Sequence, residues 1–110
     1  MAERIKLVQG DNLPSITLKL TREDGSPINL DDPDIFVRVF FRQAGSETVL
    51  ATLICEKVAP LSDGVVRFNF PGTTLNVDPG FYEGEVSIDY DGLIETVYET
   101  LKFSVRQQFA

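Results

Sequence analysis

Apolar residues along this chain recur at every second position, the spacing of one face of a pleated strand rather than of a helix. In the segment SITLKLT, Ile16, Leu18 and Leu20 alternate with Ser15, Thr17, Lys19 and Thr21, which predicts a strand with one face on a core. IFVRVFFR repeats the alternation with Ile35, Val37, Val39 and Phe41, and adds Phe36 and Phe40 on the opposite side, so both faces of that strand are expected to be covered. ETVLATLICEK and GVVRFNF continue the series, the latter with Val66, Phe68 and Phe70 on one face. Turn-forming clusters separate the strands: EDGSP after Arg22, QAGSE after Arg42 and PLSDG before Val65. Asp31-Asp32-Pro33-Asp34 breaks regular structure, because a residue preceding proline is driven out of the helical region. Strands about every 10 to 15 residues, with no amphipathic helix between them, predict an all-β domain. Its expected core holds Ile16, Leu18, Leu20, Val37, Val39, Phe68, Val86, Ile88, Leu101 and Phe103.

The last hairpin admits two registers. A two-residue Asp91-Gly92 turn sets Ile88 opposite Glu95, whereas a three-residue loop with Gly92 left-handed sets Ile88 opposite Ile94 and Val86 near Thr96. The second separates apolar from charged residues better and is the predicted register. It turns Tyr82, Gly84, Val86, Ile88, Ile94 and Tyr98 inward and leaves Glu83, Glu85, Asp89, Glu95 and Glu99 in water. Leu101, Phe103 and Val105 then have the wrong parity, which predicts a bulge near Glu99 or Thr100.

Length and charge narrow the partners. A chain of 110 residues with 43% hydrophobic and 25% charged positions is expected to fold as one domain over 1–110. Between Arg67 and Lys102 lie no basic residues and seven acidic ones, Asp78, Glu83, Glu85, Asp89, Asp91, Glu95 and Glu99, which account for the whole net charge of −7. Such a surface repels phosphate backbones, so no nucleic-acid partner is expected. No apolar run reaches the roughly 20 residues of a membrane span, and MAERIKLVQ has no signal-like apolar stretch. The expectation is synthesis in the cytoplasm and no membrane partner.

Chemistry is sparse. With no His, the Ser-His, Cys-His and His-metal arrangements are absent, and the paired carboxylates Glu83/Glu85 and Glu95/Glu99 sit on an expected solvated face where nothing raises a pKa. The single cysteine, Cys55, sits in a strand pattern and reads as a small buried hydrophobe that forms no internal disulfide. Asp31 to Asp34 and Asp89 to Gly92 are acidic but lack the oxygen spacing of a calcium loop. The chain is therefore expected to be no enzyme and to hold no metal or cofactor. Phe36, Phe40, Phe81 and Tyr90 would suit an exposed platform for carbohydrate, but covering by a partner subunit is the expected use of the two-sided third strand.

Leu75 to Gly84 carries Asp78, Gly80 and Tyr82 at the start of a strand, a pattern similar to the tyrosine corner of immunoglobulin-like sandwiches. In antibody-type domains a cysteine follows that tyrosine by two positions; here the place is Gly84. About seven antiparallel strands in two face-to-face sheets with Greek-key connections is the predicted architecture. The order of a first short strand, Gln9-Gly10-Asp11, Ile16 to Leu20, Asp24-Gly25-Ser26-Pro27-Ile28 and IFVRVFFR resembles the immunoglobulin-like N-terminal domain of the phage baseplate upper protein family and related tail and virion domains. GVVRFNF and DPGFYEGEVSIDYDGLIET look like that family's later strands.

The resemblance implies a virion structural protein, of the tail or baseplate, whose partners are other phage virion proteins or further copies of itself. Members of that family often continue into fibre or receptor-binding segments, whereas this sequence stops at Ala110, so an adaptor role is the expectation; a capsid decoration protein and a carbohydrate-binding module are the alternatives. The expected contact surfaces are the edge of the first strand, at Ile5, Leu7 and Val8, and the third strand through Phe36 and Phe40.

Overall fold

The computed structural model describes residues 4 to 97 and 99 to 109. Among them lie nine strands: β1 (Ile5–Val8), β2 (Ile16–Lys19), β3 (Ile35–Gln43), β4 (Val49–Ile54), β5 (Glu56–Lys57), β6 (Val65–Phe68), β7 (Gly80–Tyr90), β8 (Leu93–Thr96) and β9 (Leu101–Arg106). Six form a sheet in the order β1-β9-β7-β3-β4, with β8 also on β7, and β2-β6-β5 form a second. The all-β sandwich that the alternation predicts is the fold. It departs from the simple antiparallel picture in having nine short strands rather than about seven, and in pairing β1 parallel to β9, with Ile5 beside Phe103 and Val8 beside Arg106.

Period-two alternation places Val37, Val39 and Phe41 of β3 on the inner side with Val86 and Ile88 of β7 and Phe103 of β9. The smaller sheet answers with Val66 and Phe68, followed by Phe70. Phe41 sits at the centre, stacked on Tyr82 at 5.2 Å between ring centroids and edge-on to Phe70 at 6.0 Å and Phe103 at 5.6 Å. Of the expected core, Leu20, Val37, Val39, Phe68, Val86, Ile88 and Phe103 are buried, while Ile16, Leu18 and Leu101 pack half-buried against it. Ile16 and Leu18 belong to β2, the edge of the small sheet, so they form the rim.

The predicted register of the last hairpin is overturned. Ile88 faces Glu95, Asp89 faces Ile94 and Tyr90 faces Leu93 across a two-residue turn in which Asp91 and Gly92 have φ of 56° and 101°. Both central residues are left-handed, the geometry Asp-Gly favours because it matches strand twist. Ile94 consequently points outward and is 57% exposed. With this register Glu95, Val97, Leu101, Phe103 and Val105 share one parity, and no parity-restoring bulge is needed. The chain instead spends five residues from Thr96 to Leu101 where β7 spends three from Ser87 back to Gly84, which moves β9 onto the first half of β7. Tyr98, expected inward, lies outside the described residues.

Candidate interaction surface

Even-numbered residues of β3 and odd-numbered residues of β7 share the outer face of the larger sheet. There the acidic strand is not simply solvated. Arg42 donates from Nε to Glu83 Oε1 at 3.1 Å, Lys102 Nζ lies 3.5 Å from Glu83 Oε2, and Arg38 Nη2 reaches Asp89 Oδ2 at 3.2 Å. Arg38 Nε is buried with no hydrogen-bond partner among the described residues. Glu95 is on the opposite face, where Tyr90 donates its hydroxyl to Glu95 Oε1 at 2.8 Å and Arg22 stands 3.5 Å away. Sequence distance hid these pairs: the cations come from β2's turn, β3 and β9, outside the acidic window.

Burial alone would raise the Glu83 pKa, but the hydrogen bonds from Arg42 and Lys102 outweigh it and hold the carboxyl below its ordinary value. A depressed folded pKa means that this contribution is present above the unfolded value of 4.5 and is lost as pH falls through the folded one. Acid unfolding followed by circular dichroism from about pH 7 to about pH 2.5 should therefore be shallower below pH 4.5 in Glu83→Gln than in the parent. Equal slopes would show that the pair contributes nothing to folding.

The alternative of an aromatic platform for carbohydrate does not assemble. Phe36 is 55% exposed and Phe40 half-buried, with Arg38 between them along β3. Phe81 lies at the other end of β7 beneath the Arg4 guanidinium, 4.1 Å from its ring centroid, and Tyr90 is on the inner side of the sheet. The other large apolar residues on this face are aliphatic: Ile94 shares the cross-strand row of Phe36 beyond Asp89, and Ile54, 66% exposed, occupies the next row beside Arg38.

β1 borders the same sheet. Leu7 points into the core, while Ile5 and Val8 are half-buried, so the edge offers main chain and the side chains of Lys6 and Val8 rather than Leu7. The Gln9-Gly10-Asp11 turn that follows ties β1 down: Gln9 Nε2 donates to the Val77 carbonyl at 2.9 Å and the Gly10 amide to the Leu75 carbonyl at 2.9 Å. A groove of about 450 Å³ runs beside β1, lined by Arg4, Lys6, Leu7, Val8, Ser104 and Arg106.

The loop clamped by Gln9 leads into Asp78-Pro79-Gly80. Gly80 starts β7 with φ of 150°, and the buried Tyr82 donates its hydroxyl to the Asp78 carbonyl at 2.6 Å. Burial first, and the nearby Asp78 charge second, push the Tyr82 pKa up. Gly84 explains the missing cysteine position. A Cβ there would lie 2.9 Å from Val39 Cγ1 and 3.0 Å from Phe103 Cε2, so an aromatic ring fills the space a disulfide would need. Tyr82→Phe is expected to cost about 1 kcal/mol by stranding the Asp78 carbonyl, read as a lower urea midpoint at unchanged slope. An unchanged midpoint would remove the corner from the stability account.

Cys55 is 8% exposed and burial pushes its thiol up to about 12, leaving it protonated and inert in the folded state. The acidic turns cap themselves: Asp32 Oδ1 accepts the Asp34 amide at 2.9 Å and Asp89 Oδ1 the Gly92 amide at 2.7 Å. Among the described residues no three acidic, Cys or His side chains gather as a cation site, and no helix is long and apolar enough to cross a membrane.

The fold and corner define an immunoglobulin-like β-sandwich. No protein-family model matches the chain, and no curated protein does. Among solved structures it is similar to the N-terminal domain of phage TP901-1 ORF48, with a TM-score of 0.61 and 15% identity over 96% of this chain and 85% of that one. At that identity the likeness is one of fold.

Proposed function

We propose that this chain is a structural component of a bacteriophage virion, of the tail or baseplate, that acts by assembling with other protein subunits and performs no catalysis. The observation that carries the reading is the fold shared with a phage domain along 96% of the chain. The surface suits it: Phe36, Ile54 and Ile94 are large apolar residues left 55%, 66% and 57% exposed on one sheet face. Arg38 is paired with Asp89 and Arg42 with Glu83 within the chain, so a partner covering this face would meet Glu85, beside Phe40, as the unpaired charge among the described residues there. The edge of β1 is the second contact surface.

Mass spectrometry of purified particles tests the reading. Its presence at a fixed copy number, with immunogold label on the tail, is the expected result. Absence from particles while the gene is expressed during infection would sink it, and label confined to the capsid would sink the tail assignment.

A further inference from the structure

We infer that the open edge of β1 receives an extended acidic segment of another polypeptide as an added strand. The inference rests on the reading of the chain as an assembling subunit and names the chemistry of one partner. The Gln9 amide donates to the Arg106 carbonyl, so by strand alternation the main-chain groups of Ile5 and Leu7 face β9 and those of Lys6 and Val8 face away. The Val8 carbonyl accepts the Asp11 amide at 3.1 Å. The Lys6 amide and carbonyl and the Val8 amide are left on the open side, where no strand pairs with β1 among the described residues.

Charge selects the occupant. Arg22, Arg38, Arg42, Arg67 and Lys102 each pair with a carboxylate; of the five cations that pair with none among the described residues, Lys19 and Lys57 belong to the smaller sheet, and the other three, Arg4, Lys6 and Arg106, line the groove beside β1 together. Two of these cations are held in place without an anion. Arg4 lies over Phe81 and donates to the Phe103 carbonyl at 3.1 Å; Arg106 donates to the Gln107 carbonyl at 2.9 Å. On a chain of net charge −7 this is a preorganised positive patch. A second β1 brought against it would oppose like charges, so the edge rejects its own copy while accepting an acidic strand. A polyanion without a peptide backbone would meet the cations but leave the Lys6 and Val8 main chain unpaired.

The test is an amide NMR titration of the full chain with an alternating Glu-Val octapeptide and, separately, a Lys-Val octapeptide. Expected is slowed hydrogen exchange at Lys6 and Val8 with the acidic peptide, binding about ten-fold tighter than the basic one and weakened by salt. The double variant Lys6→Glu/Arg106→Glu, with its melting point checked, should reverse the preference. No change at Lys6 and Val8, equal binding of the two peptides, or a preference that survives charge reversal overturns the inference. So does a linear polyphosphate that outcompetes the acidic peptide while leaving Lys6 exchange fast. Particles that contain the polypeptide together with failed peptides would refute this partner and keep the virion reading; the reverse result would refute only the virion reading.

Discussion

Phe41→Ala is expected to lose about 3 to 5 kcal/mol of folding stability, the largest effect of any single truncation in the chain. The ring is 0% exposed and touches three other buried aromatics, stacked on Tyr82 and edge-on to Phe70 and Phe103. Those three rings cannot close on the hole together, because Phe70 and Phe103 already hold each other edge-on at 5.9 Å and Tyr82 is fixed by its bond to Asp78. Urea unfolding read by circular dichroism measures the loss. Phe41→Leu, which keeps most of the volume, should recover more than half of it. A Phe41→Ala cost under about 1 kcal/mol would mean that the sheets collapse onto the gap, contrary to a rigid aromatic centre.

Gly64→Ala is expected to cost about 2 to 4 kcal/mol, a large effect for one methyl group. Gly64 ends the short 3₁₀ turn Leu61–Asp63 with φ of 71°, and its carbonyl accepts the Leu20 amide at 2.8 Å. A Cβ at this place would stand 2.6 Å from the Leu20 carbonyl oxygen and 2.8 Å from that of Ile28. Both obstacles are main chain held by the Leu20 and Ile28 ladder, so neither can swing aside as a side chain would. Gly25 supplies the control: its φ is 86°, but nothing lies within 4 Å of its would-be Cβ. Gly25→Ala should therefore show conformational strain alone, about 1 kcal/mol, and the difference between the two variants isolates the clash. Equal melting points would refute the steric account.

What the sequence revealed was local. Strand β3 could be read from Val37, Val39 and Phe41 because period-two burial is written into adjacent positions, and the tyrosine corner because Asp78, Gly80 and Tyr82 act over four residues. The hairpin register failed where two local signals competed. Apolar segregation favoured Ile94 inside and Asp91-Gly92 favoured a two-residue turn; the turn won, because its two left-handed residues match the strand twist, and it leaves Ile94 on the face of the sheet opposite the core. The ion pairs were hidden for another reason: Glu83 and Arg42 are joined only by the register between β7 and β3, which no window of sequence displays. The same holds for two of the three β1 residues expected at the edge, the adjacent Leu7 and Val8. Alternation alone could say that one points inward, but only the pairing with β9 says which.

The parallel pairing of β1 and β9 has a mechanical consequence. Because the two strands run in the same direction, tension applied ahead of Ile5 and beyond Arg106 pulls them along their axes in opposite senses. The rungs from Ile5 beside Phe103 to Val8 beside Arg106 are then loaded in shear and must yield together. The antiparallel pair β3 and β4, pulled from Ile35 and Ile54 at one shared end, would instead peel apart rung by rung. The first and last strands thus form a clasp oriented to bear load along the chain.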